Sequence, residues 1–142
     1  YGHGYAIGIT SKGEIKEYRI TSKGILYCSS NYLVSLIIPE TVKHVWCANN
    51  LLTELIIPEG VEKVYCDNNK LTELILPETV TDVYCSSNKL TELIIPSGVK
   101  YVWCKNNLLT ELILHEGVIN VYCDKHIKGL EQYIGEINLI LC

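Results

Sequence analysis

Apolar and polar positions along this chain recur with a fixed step of 19 residues, most plainly from Ile25 to Leu114. Each step opens on a short alternating run such as Val64-Tyr65-Cys66-Asp67. In an extended segment, alternation sends Val64 and Cys66 to one face and Tyr65 and Asp67 to the other. The Val/Leu and Cys positions hardly change from step to step while their neighbours vary, so the constant pair is predicted to point into a core. Seven cysteines fall on the step, Cys28, Cys47, Cys66, Cys85, Cys104, Cys123 and Cys142, and chance does not space residues this way. Three residues beyond the first five of them stand Asn31, Asn50, Asn69, Asn88 and Asn107. A strand that ends in a bend leaves backbone groups without ladder partners, and an amide side chain carries both the donor and the acceptor that satisfy them. These five are expected to form a buried ladder, while Asn49, Asn68 and Asn106 read as solvent-facing turn residues.

The second half of each step, Leu-Thr-Glu-Leu-Ile-Ile/Leu-Pro, alternates again. It predicts a short extended return segment with Leu55 and Ile57, or Leu74 and Leu76, turned inward. Ile37, Ile56, Ile75, Ile94 and Ile113 then face outward as an apolar stripe. Pro39, Pro58, Pro77 and Pro96 end the segment by removing a ladder donor. At the next turn Gly60, Gly98 and Gly117 alternate with Thr41 and Thr79. A β-branched residue at positive φ is a steric outlier, so the turn cannot require a left-handed backbone.

Both ends depart from the pattern. Residues 1–22 read as strand, Gly-containing turn, strand. Run backwards from Leu26 and Cys28, the step places Ile7 and Ile9 inward, so the segment is predicted to cap the stack as a hairpin or a degenerate first coil. Residues 23–142 form the repeat array, about six coils plus a terminal strand, degenerate at 124–136. There His126 replaces the ladder Asn and Lys128 a Leu, and Ile127, Leu130, Ile134 and Ile137 fall at helical spacing, which predicts a short helix in place of the return strand. The register is expected to resume in Ile140-Leu141-Cys142, where an open strand edge calls for more chain, a cap or a partner. The chain has no Met and opens at Tyr1, so a fragment or a processed chain is the expectation.

Aligned on the cysteine, Val-x-x-Val-x-Cys-x-x-Asn-x-Leu resembles the leucine-rich repeat signature over about residues 23–142, in a short form similar to the cysteine-bearing repeats of some internalins. The resemblance implies a mainly β repeat solenoid with a parallel sheet on its concave face, short extended segments on its convex face, and a binding role for the concave face. A step of 19 residues lies just under the usual range of about 20–29 and leaves the convex side little room for helices.

Composition narrows the function classes. A chain of 142 residues, 48% hydrophobic with net charge −4, fits a folded soluble domain. No apolar run reaches the ~18 residues of a membrane span, and no segment reads as a signal peptide. Gly2, Gly4 and Gly8 follow no strand and lead into no helix, so they do not form a phosphate loop. The cysteines together with His3, His44, His115 and His126 invite a metal reading. Inward thiols one step apart form a line rather than a tetrahedron, however, and no Cys-x-x-Cys occurs, so no metal or cofactor is expected. Parallel in-register side chains seldom reach the disulfide dihedral, which leaves buried thiols and favours a reducing, cytoplasmic setting. No nucleophile, base and orienter come together, so the chain is expected to be non-enzymatic. Glu54, Glu73, Glu92 and Glu111 form an acidic column that reads as a solvated ladder, with Lys70 and Lys89 nearby.

One feature carries a functional expectation. Tyr27, Trp46, Tyr65, Tyr84, Trp103 and Tyr122 stand between the two inward residues of each strand and so point outward in one column, with Leu141 continuing the line. His44, Lys63, Asp82, Tyr101 and Asn120 flank them on one side, and Ser29, Ala48, Asp67, Ser86, Lys105 and Asp124 on the other. Rigid exposed Tyr and Trp are enriched in binding hot spots, so a protein partner on this face is expected. Aromatic faces also stack on sugars, which keeps carbohydrate binding as an alternative, and a purely structural ladder is a third reading. The mixed flanking charge argues against nucleic acid. Weak homo-association through the Ile stripe or the solenoid ends is a further expectation.

Overall fold

The computed structural model describes residues 4–133, 135 and 137–141. Gly2, His3, Ile134 and Cys142, and what the repeat expects of them, lie outside the described residues. The strands are β1 (Tyr5–Thr10), β2 (Ile15–Arg19), β3 (Ile25–Tyr27), β4 (Leu33–Ile37), β5 (His44–Trp46), β6 (Lys63–Tyr65), β7 (Asp82–Tyr84), β8 (Tyr101–Trp103), β9 (Asn120–Cys123) and β10 (Asn138–Leu141). β3 and β5 to β10 form a seven-stranded parallel sheet, and β2, β1 and β4 a three-stranded antiparallel one. The molecule is a mainly β solenoid in which each coil adds one strand to the parallel sheet and returns along the opposite side. No helix among the described residues is long and apolar enough to cross a membrane.

The 19-residue step sets the register of the sheet. Leu26 pairs with Val45, Val45 with Val64, Val64 with Val83, Val83 with Val102 and Val102 with Val121. These residues and the cysteines two positions on are buried, and Val42, Leu52, Leu55 and their equivalents meet them from the return side. Burying such an aliphatic side chain contributes roughly 1.5–3 kcal/mol, and the coil repeats the gain at every step. The strands are short because the coil bends as soon as the cysteine has been placed.

The turn that closes each coil is the same in outline. Val42, Val61, Val80 and Val99 donate their N–H groups to the carbonyls of Pro39, Pro58, Pro77 and Pro96, and Val118 donates to His115 in the same place. Gly60 and Gly117 adopt positive φ there, at 99° and 110°, whereas Thr41, Thr79 and Gly98 do not. The turn thus has two forms. A positive-φ third residue is used at Gly60 and Gly117 and is never required, since Thr41, Thr79 and even Gly98 close the same turn without it.

The ends correct the sequence reading in three respects. Ile7 and Ile9 do not point inward: Ala6, Gly8 and Thr10 are the buried residues of β1, and Ile9 is exposed. β1 is not a degenerate coil of the parallel sheet but half of an antiparallel hairpin laid against β4, the first return segment, with Ile7 opposite Ile37. Small residues face the core because Leu33 comes close there. A Cβ on Gly8 would lie 2.7 Å from Leu33 Cδ2. At the other end the helix expected over the degenerate coil is reduced to one 3-10 turn at Glu131–Tyr133, beneath which Ile127 and Leu130 are buried. The Tyr133 hydroxyl donates to Leu114 O at 3.1 Å and closes that return segment. The last coil is one residue short, so that Ile140, not Leu141, stands opposite Tyr122, and Leu141 opposite Cys123. Leu141 therefore does not continue the aromatic column.

Candidate functional site

The scaffold beneath the site is a ladder of amides. Asn50, Asn69, Asn88 and Asn107 are buried where each strand bends into its return segment. Asn69 Nδ2 donates to Cys47 O at 3.1 Å and Cys66 O at 3.0 Å, while its Oδ1 accepts Leu52 N–H at 3.0 Å. Asn88 and Asn107 repeat this one and two coils on. Each interior Cys carbonyl thus accepts from two successive amides, and every coil is tied to the one before it. Asn31 is the exception to the buried five. It is half-buried, because no earlier coil offers its amide a second Cys carbonyl, and Nδ2 turns instead to Ser29 O at 2.7 Å.

The residue before each ladder Asn was not legible as special. Ser30, Asn49, Asn68, Ser87 and Asn106 all adopt φ between 56° and 60°. Left-handed backbone is costly for most L residues and tolerated by small polar ones. That explains why Asn and Ser hold this place while the side chains face solvent, as read for Asn49, Asn68 and Asn106. They form a second, outer set of contacts, Asn68 Nδ2 donating to Asn49 Oδ1 at 2.8 Å and Asn106 Nδ2 to Ser87 Oγ at 3.2 Å.

Cys28, Cys47, Cys66, Cys85, Cys104 and Cys123 are all buried. Burial pushes the Cys28 thiol up to about 12 and holds those of Cys47, Cys66, Cys85 and Cys104 well above the ordinary range, with the neighbouring thiols adding to the effect in the inner coils. A thiol kept protonated in an apolar line is a poor nucleophile. Among the described residues no group of three or more His, Cys, Asp and Glu is placed to hold a metal ion.

Above this core the aromatic residues stand on the outer face of the sheet in an unbroken file. Ring centroids are 5.9 Å apart for Tyr27 and Trp46, 4.0 Å for Trp46 and Tyr65, 4.8 Å for Tyr65 and Tyr84, 5.2 Å for Tyr84 and Trp103, and 5.5 Å for Trp103 and Tyr122. The file has two parts. Trp46, Tyr65 and Tyr84 lie nearly parallel, at 19° and 3°, so their faces cover one another and their edges meet solvent. Trp103 stands at 74° to Tyr84 and breaks the stack. Tyr27, Trp46 and Trp103 are the most open rings, at 58%, 38% and 45%.

The flanks are less uniform than the sequence suggests. His44, Lys63, Tyr101 and Asn120 are half-buried beside the file. Asp82 is not displayed: it is 8% exposed, and its carboxylate accepts the Thr81 hydroxyl at 2.7 Å. Burial raises the Tyr84 hydroxyl above its usual range and the Asp82 carboxylate adds to this, so the hydroxyl stays neutral. On the opposite flank burial lifts Asp67, while the N–H groups of Ser86 and Asp67 hold it down. Asp67 Oδ1 accepts Ser86 N–H at 2.8 Å, and Lys105 Nζ lies 5.6 Å from the Tyr122 ring centre. No protein-family model matches this chain, and no curated protein matches it either.

Proposed function

We propose that this chain is a non-enzymatic, protein-binding solenoid of the leucine-rich repeat kind, whose partner docks on the aromatic file of the concave sheet face. The observation that carries the reading is the file itself: six rings held in register by paired strands, with Trp46 open at one end of the stack and Trp103 open just beyond the other. A rigid scaffold presents them without ordering cost, which is what makes Tyr and Trp effective anchors. The half-buried His44, Lys63 and Tyr101 supply polar contacts at the rim, in keeping with the usual anatomy of an interface.

The ring geometry favours a protein over a sugar. Stacking on a pyranose needs a free aromatic face, and in Trp46, Tyr65 and Tyr84 the faces are turned to one another. Edges and hydroxyls are left, and these suit peptide carbonyls and apolar side chains. Panning a random-peptide phage library and a glycan array against the native chain tests this, with the Trp46→Ala/Trp103→Ala variant as control. Peptides that enrich on the native chain and not on the variant support the proposal. Glycans captured in a Trp-dependent way, with no peptide enriched, would overturn it.

A further inference from the structure

We infer that the return face, opposite the aromatic file, is a second docking surface and that it fits a cationic amphipathic helix. Ile37, Ile56, Ile75, Ile94 and Ile113 are 66 to 78% exposed there, in one line at one position per coil. The residues on either side of each are turned inward, Leu55 and Ile57 in one coil and Leu93 and Ile95 in another, so the core is filled without the outer isoleucines. Apart from Ile37, which ends β4, they belong to no strand among the described residues, and Ile56 and Ile75 form an isolated bridge. The hairpin lengthens the line by one residue, because the half-buried Ile7 lies directly opposite Ile37. A contiguous apolar surface of this length is unusual on a chain that stays alone in water.

Its borders say what covers it. Glu54, Glu73, Glu92 and Glu111 stand two residues before the isoleucines, and Glu40, Glu59, Glu78 and Glu116 three residues after them, all exposed. Among the described residues none of these carboxylates is ion-paired, and Glu78 accepts one hydrogen bond, from Ser97 Oγ at 3.4 Å. The columns share a surface: Glu73, Ile75, Glu78, Glu92 and Ile94 line one open depression of about 640 Å3, and Glu92, Ile94, Glu111 and Ile113 line the next, of about 380 Å3. Even with Lys70 and Lys89 beyond Glu73 and Glu92, the stripe is an apolar floor between two acidic walls.

A second copy of the same face would set carboxylates against carboxylates, on a chain that already carries net charge −4. An anionic lipid surface is repelled in the same way. A segment with an apolar stripe and Lys or Arg on both sides is complementary. Its repeat also selects a helix. Coils stacked at ~4.8 Å present one Ile each, and a helix laid along the axis presents one apolar side chain per ~5.4 Å turn, whereas same-face residues of a strand recur at ~6.8 Å. Five isoleucines span ~19 Å, the length of a helix of about 13 residues.

The test is a fluorescence anisotropy titration of a labelled Leu/Lys helix of about 14 residues, beside a scrambled peptide of the same composition. The native chain is expected to bind the helix about tenfold more tightly than the scramble, and Ile75→Ser/Ile94→Ser to remove that advantage. Glu73→Gln/Glu92→Gln should weaken binding about threefold and flatten its salt dependence. All four side chains are exposed, so melting should be unchanged, and should the Ile pair not fold, the Glu pair carries the same test. Trp46→Ala/Trp103→Ala should leave this binding intact, which separates it from the proposal for the sheet face. Equal binding of the scramble, or no loss in either variant, overturns the inference. So does a doubled mass by light scattering that Ile75→Ser/Ile94→Ser abolishes, or capture by phosphatidylserine vesicles in place of the peptide.

Discussion

Replacing Asn69 by Ala tests the amide ladder, on which the coil geometry rests. The side chain is nearly inaccessible and makes three bonds of 3.0 to 3.1 Å. The groups it serves are not equally exposed to the loss. Cys47 O still accepts Asn50 Nδ2, and Cys66 O still accepts Asn88 Nδ2. Leu52 N–H keeps nothing, and an orphaned buried donor costs about 1–3 kcal/mol. With two further bonds weakened at ~0.5–1.5 kcal/mol each, the sum is about 2–6 kcal/mol. That is a large share of the ~5–15 kcal/mol a domain of this kind holds in reserve. Asn31→Ala, at the half-buried end of the ladder, loses one bond to Ser29 O and should cost about 1 kcal/mol or less. Urea denaturation of both variants measures the difference, and hydrogen exchange at Leu52 N–H locates it. Equal losses in the two variants, or a loss at Asn69 below about 1 kcal/mol with Leu52 still protected, would refute the reasoning.

Other perturbations probe the thiols, the left-handed turn and the rings. A thiol whose folded pKa is raised stabilises the fold fully below the ordinary thiol value near 9 and loses that contribution as pH climbs toward the folded value, about 12 for Cys28. Stability should therefore fall above pH 9 by about 1.4 kcal/mol per pH unit for each buried thiol, and Cys66→Ala should flatten the slope in alkaline melts. Native protein should react slowly with a thiol reagent at neutral pH and fully once denatured. Ser87 sits at φ 56°, so Ser87→Val should cost about 1–2 kcal/mol in chemical denaturation while Ser87→Asn is neutral. Tyr65 has parallel rings on both sides and Tyr27 a single tilted neighbour, so Tyr65→Ala should lose about 1–3 kcal/mol and Tyr27→Ala clearly less, a ranking that thermal melts can reverse or uphold.

Where the 19-residue step holds, the sequence carries the structure almost completely. Val64 and Cys66 are inward, Tyr65 is outward and Ile56 exposed because alternation and a constant step leave no other register. Much of what was not legible lies where the step stops acting. Extrapolation put Ile7 and Ile9 inside, but β1 runs antiparallel to β4 and owes its facing to the close approach of Leu33, which only Gly8 and its small neighbours accommodate. Periodicity says nothing about a one-residue deletion, so the pairing of Ile140 with Tyr122 could not be read in advance. The left-handed residues did leave a signal, a small polar residue at one position in five successive coils, whose meaning lay in φ rather than in side-chain chemistry. On the sheet face, alternation gave the side but not the depth. Asp82 shares its column with His44 and Lys63 and yet is covered.

The central claim is that the aromatic file recognises a partner, and the Trp46→Ala/Trp103→Ala variant tests it most directly when affinity for a selected peptide and thermal stability are measured on the same sample. The two side chains lie three coils apart, ~14–15 Å at strand spacing, and the core beneath them is untouched by truncation. Isothermal titration should register a loss of ~2 kcal/mol or more in binding, with stability lowered by about a kilocalorie for each ring removed. A large fall in melting temperature with peptide affinity unchanged would contradict the account and leave the rings as a structural ladder.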